Sequence, residues 1–150
     1  MKESGKYDEA ERAYRRAIEI DSKCTNAHLN LGNLLRDQGD YDGAAEELQT
    51  AIALDRTNAM AHGAFASLEE QRKNFDAAKR FYRKCIALDP TNPDPYWNVS
   101  IILEEQKNDI KGAYENVKKF YDLGGETPIG GDRQRLARLS FEVAKLRAGK

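Results

Sequence analysis

Apolar positions in this chain recur every three or four residues, the spacing that lays one stripe along an α-helix. The stretch Asn26 to Asp55, NAHLNLGNLLRDQGDYDGAAEELQTAIALD, carries the pattern most regularly, as two amphipathic segments meeting at Gly39-Asp40. The two segments are joined by a tight turn there. The pattern predicts helices over 26–38 and 42–53, over 59–72 and 75–87, and from Pro93 to about Lys107. Asn92 can cap the last of these, with Pro93 in the first turn, where its missing N–H is harmless. Upstream, Tyr7–Ile20 reads as one helix through Ala10, Ala13, Tyr14, Ala17 and Ile18, after a polar start over 1–6 expected to fray. Downstream, Ala113, Val117, Phe120 and Leu123 continue the pattern until Gly124-Gly125 and the loop ETPIGG interrupt it. A last helix is expected over 132–148. Leu136, Leu139, Val143 and Leu146 would form its packed face, with Ala137, Phe141 and Ala144 beside it. Arg133, Arg135, Arg138, Lys145 and Arg147 would stay in water.

The helices repeat in phase. Ala10, Ala44 and Ala78 are each 34 residues apart, as are Tyr7, Tyr41 and Phe75; Tyr14, Leu48 and Tyr82; Ala17, Ala51 and Cys85; and Asp21, Asp55 and Asp89. In the helix before each pair's second member, Leu31, Phe65 and Val99 correspond, followed at once by the small residues Gly32, Ala66 and Ser100. A small residue on one helix lets the other approach closely, and large-against-small alternation is what dense packing demands. Each pair leaves an apolar flank for the next pair to cover, so the units stack. Ala78 to Ala113 is 35 residues, which predicts one inserted residue and a longer turn near Lys107–Ile110.

On LNLGNLLRDQGDYDGAAEELQTAIALD and FASLEEQRKNFDAAKRFYRKCIALDPTN, spaced by 34, the chain resembles the tetratricopeptide repeat family over about residues 5–123. The resemblance implies an all-α fold, a right-handed α-solenoid of helix-turn-helix repeats. Its boundaries would be 7–20 for the second helix of a partial repeat, 25–58, 59–92 and 93–125 for three repeats, and 132–148 for a capping helix, all in a single domain. The chain departs from the family pattern in two ways. The large aromatic early in the first helix is His28, then His62, then Tyr96, and the proline after the second helix is present only as Pro90. A basic helix like 132–148 also suits a membrane surface, but the capping role is the reading adopted.

Composition narrows the function classes. Basic and acidic residues number 24 and 25, a net charge of −1, without the basic footprint of a nucleic-acid binder. No run of 18 apolar residues exists, so no membrane-spanning helix is expected. Two cysteines, Cys24 and Cys85, make no disulfide framework and point to a reducing, cytoplasmic compartment. Cys85 occupies the buried small position of Ala17 and Ala51 and reads as inert packing, whereas Cys24 sits in a loop between repeats.

No catalytic constellation emerges, and an enzyme is not expected. Gly124-Gly125 and Gly130-Gly131 lack the lysine motif of a phosphate-binding loop. The doublets Glu46-Glu47, Glu69-Glu70 and Glu104-Glu105 are adjacent, so their members diverge on a helix and read as solvated faces. His28 and His62 supply at most two ligands where structural zinc takes four. They read as packing residues, and no metal or other cofactor is expected.

In tetratricopeptide arrays the first helices of successive pairs line a concave groove that binds peptides. The resemblance places Leu29, Asn30 and Asn33 on that face of the first pair, beside Arg36 and Asp37. Met60, Ser67 and Glu70 follow, with Gly63 and Ala64, and then Asp94, Trp97, Asn98 and Ile101, with Glu105. The lysine and arginine that clamp a chaperone C-terminal carboxylate are missing: Asn33 matches that clamp, but Ala64, Asp94 and Asn98 do not. Asn30 and Asn98 match the asparagine ladder of arrays similar to that of O-linked N-acetylglucosamine transferase, which Ala64 interrupts. Amide side chains donate and accept, as a peptide backbone requires.

Trp97 has two open readings: a binding residue in the groove, or packing between the third pair and its neighbours. Acidic residues around it (Glu70, Asp94, Glu104 and Glu105) favour a neutral or basic partner segment. The functional expectation is a protein-interaction scaffold. Two alternatives stay open: a homo-oligomer docking through Tyr7–Ile20, or the recognition segment of a larger enzyme such as a glycosyltransferase.

Overall fold

The computed structural model describes residues 2–106, 109–127 and 133–149, and of residues 2–4 only the backbone. Among the described residues there are eight α-helices and no strands: α1 (Lys2–Ile20), α2 (Thr25–Asp37), α3 (Tyr41–Leu54), α4 (Ala59–Gln71), α5 (Phe75–Leu88), α6 (Asp94–Glu105), α7 (Ile110–Asp122) and α8 (Arg133–Ala148). The expected all-α pattern of paired helices is present. α1 starts at Lys2 rather than near Tyr7, because Gly5 lowers helix propensity without breaking the hydrogen-bond ladder.

The turns repeat as the helices do. At the end of α2, Gly39 takes φ +85°, and Asp40 N–H donates to the Leu35 carbonyl at 2.9 Å. Asp40 then caps α3 by accepting from Gly43 N–H at 3.0 Å. One period later Lys73 holds the same left-handed backbone, φ 67°, and Asn74 N–H donates to the Glu69 carbonyl. Between repeats, Asp55 accepts from both the N–H and the hydroxyl of Thr57, and Asp89 does the same for Thr91. Residues 38–40 separate α2 from α3 and 72–74 separate α4 from α5, whereas 106–109 separate α6 from α7, one more, as the 35-residue spacing predicts. Residues 107 and 108 of that longer turn lie outside the described residues.

The chain folds as two compact units, Met1–Phe81 and Tyr82–Lys150, and the division falls inside α5. In the first unit the core contains Leu29, Leu31, Leu35, Ala44, Leu48, Ala51, Ala61, Phe65 and Leu68. Its tightest point is Gly32, where a Cβ would stand 2.6 Å from Leu48 Cγ. On α1, Tyr14 and Ile18 pack against this core. Ala10 and Ala17 stay half-buried, however, while their counterparts Ala44 and Ala51 are fully enclosed. In the second unit α6, α7 and α8 bury Val99, Ser100, Ile102, Ala113, Val117, Phe120, Leu139 and Val143. The packed face expected for the last helix ends at Val143. Leu146 is 57% and Phe141 62% exposed, with Lys145 Nζ 4.6 Å above the Phe141 ring.

The two turn and contact positions make a paired prediction. Gly32→Ala gains about 1 kcal/mol of helix propensity, but it forces a methyl into a fully buried leucine that cannot yield, an overpacking cost of about 1–3 kcal/mol. A net loss of about 1 kcal/mol is expected in urea unfolding. Lys73→Gly relieves left-handed strain and should raise stability by roughly 1 kcal/mol. Reversal of either sign contradicts the packing or the turn assignment.

Candidate functional site

The site is built on the first turns of α6. Asn92 Oδ1 accepts from Asp94 N–H at 3.1 Å, and Pro93 fits the opening turn. Asp94, Trp97 and Asn98 are three and four residues apart, so they share one helix face. From α7, Phe120 meets Trp97 with ring centroids 4.9 Å apart, tilted by 45°. α7 ends where Gly124 takes φ +83°, and Gly125 N–H donates to the Phe120 carbonyl at 2.9 Å. A Cβ at Gly125 would stand 2.6 Å from Phe120 Cζ, so glycine lets the returning chain lie against the ring. That return brings Glu126 and Thr127 opposite α6. Asp94, Trp97, Asn98, Phe120, Glu126 and Thr127 together line a hollow of about 290 Å³.

Trp97 packs, and it also borders the hollow. Arg135 of α8 lies 4.6 Å from its ring centroid. The expectation that Arg135 stays in water is corrected, since its side chain is only 13% exposed. Its Nε donates to Glu104 Oε2 at 2.8 Å, and it donates to Ser100 Oγ at 3.0 Å. Ser100 Oγ in turn donates to the Trp97 carbonyl at 2.6 Å. Arg138 pairs with the other Glu104 oxygen. Burial opposes the charged form of Glu104, but hydrogen bonds from Arg138 and Arg135, with their charges, outweigh it and hold the carboxyl below the ordinary glutamate range. The bond to Glu104 also raises Arg138.

Glu104 is therefore neither a solvated residue nor a free acidic lining of the site, and the other doublets split the same way. Glu47 bonds His28 Nδ1 at 2.7 Å. Glu69, 7% exposed, accepts from Arg72 at 3.2 Å and from Asn74 at 2.8 Å. Each inward member meets a donor on a neighbouring helix or turn. Glu46 and Glu105 stay exposed.

His28 and His62 sit where packing residues were expected, and both also make polar contacts. His28 Nε2 donates to the Ser22 carbonyl at 2.8 Å, and His62 Nε2 donates to the Arg56 carbonyl at 2.9 Å. His62 also stacks on Phe81, centroids 6.2 Å apart. Among the described residues no group of three or more His, Cys, Asp or Glu is arranged to hold a metal. Cys85 is 3% exposed, and burial, then the nearby Asp89 charge, push its thiol pKa up.

In the first unit Leu29 is 3% exposed within the core, so its side chain offers no binding surface: the stripe that buries Leu31 and Leu35 is wide enough to take Leu29 as well. Asn30 is exposed, Met60 is 74% exposed, and Asn33, Ser67 and Glu70 are half-buried. Asn33 Oδ1 is enclosed without a hydrogen-bond partner among the described residues. In the second unit Asp94 is exposed, while Trp97, Asn98 and Ile101 are half-buried. Phe120, Glu126, Thr127 and Arg135 were not singled out for the site by sequence. Phe120 reads as core, and a loop carries no periodic signal.

The family model described as Tetratricopeptide repeat matches residues 2–59 and 29–93. The chain belongs to the tetratricopeptide repeat family. Among solved structures, this tetratricopeptide chain is similar to one titled as the crystal structure of MamA. The identity is 25% and the TM-score 0.72, covering 82% of this chain and 71% of that one. A second MamA structure aligns with TM-score 0.71 at 25% identity, covering 81% and 66%. A structure titled as functional characterisation of Pseudomonas aeruginosa pilF shares the fold, with TM-score 0.70 at 21% identity, over 91% of this chain and 67% of that one. No match was found among curated proteins. The tetratricopeptide fold is a scaffold for protein–protein contact, and among the described residues no helix is long and apolar enough to cross a membrane.

Glu104 generates a pH prediction. Its folded pKa is depressed, so its contribution is complete above the ordinary value of 4.5 and is lost as pH falls through the lower folded value. Glu104→Gln should cost about 2 kcal/mol near pH 7, and the gap to wild type should close as pH falls below the ordinary glutamate value and through the lower folded one. A gap that does not change with pH would contradict the ion-pair assignment.

Proposed function

We propose that this tetratricopeptide chain is a protein-interaction module that holds an extended, neutral to basic peptide segment against α6. The observation that carries the reading is the hollow beside Trp97 and Asn98. Asn98 presents an amide that can donate to and accept from a peptide backbone, and Trp97 and Phe120 supply rigid apolar area of the kind that dominates binding energy. In the unit Met1–Phe81 the same reading assigns peptide contacts to Asn30, Asn33, Met60, Ser67 and Glu70. Ile101, one turn beyond Asn98, extends the apolar contact. In the proposed role the chain binds and performs no catalysis itself. The test titrates acetylated, amidated heptapeptide pools of mixed sequence. Asn98→Ala should weaken binding roughly three- to tenfold, the value of one or two hydrogen bonds, with helicity by circular dichroism unchanged. Equal affinity removes Asn98 from the site.

Self-assembly is a second reading, favoured by one observation: α1 leaves Ile20 76% and Tyr7 41% exposed. Apolar surface on a helix packed from one side invites a second copy. Sedimentation equilibrium should find a concentration-dependent dimer that Ile20→Lys disperses, and a monomer at every concentration rejects this reading.

A further inference from the structure

We infer that the hollow on α6 is a subsite for a cationic side chain, lysine or arginine, of the bound segment. The inference rests on the peptide-binding reading above and goes further by naming what enters the hollow. Its lining combines two carboxylates, Asp94 and Glu126, with two aromatic rings, Trp97 and Phe120, and two neutral polar groups, Asn98 and Thr127. About 290 Å³ lies at the lower end of ligand-pocket sizes and is room enough for one long side chain.

Two carboxylates, Asp94 and Glu126, make the lining of the hollow negative. Among the described residues no lysine or arginine pairs with Asp94 or Glu126. Arg135, which lies against Trp97, has its guanidinium already engaged by Glu104 at 2.7 Å and by Ser100 at 3.0 Å. Glu104 takes Arg138 as well, so the paired charges close on themselves beside the hollow and leave its own two carboxylates open. Arg135 covers Trp97 at 4.6 Å from its ring centroid, so an incoming side chain would use the part of the ring that borders the hollow. A lysine or arginine stem would lie along Trp97 and Phe120 while its charged head reached Asp94 and Glu126, the division of apolar stem and polar head that such side chains adopt. An acidic side chain would meet repulsion at the same place, and an aliphatic one would leave both carboxylates without the ion.

Trp97 is the chain's only tryptophan and borders the hollow, so its emission responds to what enters there. The full chain is titrated with acetylated, amidated heptapeptide pools whose central residue is lysine, arginine, citrulline or norleucine. The flanking positions omit lysine, arginine and tryptophan. The lysine and arginine pools should change Trp97 emission with affinity about tenfold above the citrulline and norleucine pools. Asp94→Asn with Glu126→Gln should bring the four pools to within about twofold of one another, and raised salt should do the same to the unmodified chain. Both substituted side chains are exposed and keep their size, so folding is not at issue. Equal binding of all four pools overturns the cation subsite and leaves the peptide reading standing. Failure of every pool to bind overturns both. A preference that survives the double substitution places the cation elsewhere and overturns the assignment of the hollow.

Discussion

The close approach of α2 to α3 at Gly32 is the constraint from which the rest of the packing follows. Leu48 is fully buried because the opposing residue has no side chain. In the other pairs the equivalent residues, Ala66 and Ser100, are also fully enclosed, so the position accepts small residues whatever their polarity. Serine, however, brings a hydroxyl into a dry contact, where it must find partners. Ser100 finds the Trp97 carbonyl and Arg135, so a residue kept small for packing also anchors α8 to α6. Packing and site geometry are joined there: the helix face that carries Asp94, Trp97 and Asn98 is held in place by the arginine behind it.

Ion pairs finish what apolar burial begins. In each glutamate doublet one side chain turns in to meet a donor, but these inward members do different work. Glu47 ties α3 to His28 of α2. Glu69 ties the end of α4 to its own turn through Arg72 and Asn74, and Arg72 reaches on to Asp42 at 2.7 Å. Glu104 ties α6 to α8. Removing one member of such a partly enclosed pair strands the other, so these contacts favour one register over its neighbours even where their net stabilisation is small.

The helices, their order and their turns could be read from the chain because they rest on local chemistry: helical spacing of apolar residues, a tight turn at Gly39-Asp40, and a helix stop at Gly124-Gly125. The extra residue between α6 and α7 was visible as a shift from 34 to 35. Half of the candidate site was visible too, since Asp94, Trp97 and Asn98 follow from helix geometry. The other half was not. Glu126 and Thr127 are placed by a glycine turn whose direction depends on the Phe120 ring, and Arg135 is placed by Glu104, 31 residues away in sequence. Long charged side chains reach water or a partner with equal ease, and periodicity does not distinguish the two. Leu29 failed as a surface residue for a related reason: the apolar stripe of α2 is wider than a strict repeat template assigns.

Cys85 has a consequence of its own. The repeat fills its position with alanine elsewhere, and here a thiol takes the space without altering the packing. Burial and Asp89 keep that thiol in its unreactive protonated form. An alkylating reagent can reach it only during moments when that burial is lost. The labelling rate at Cys85 is thus a clock for native-state opening of the helix in which the two compact units meet along the chain.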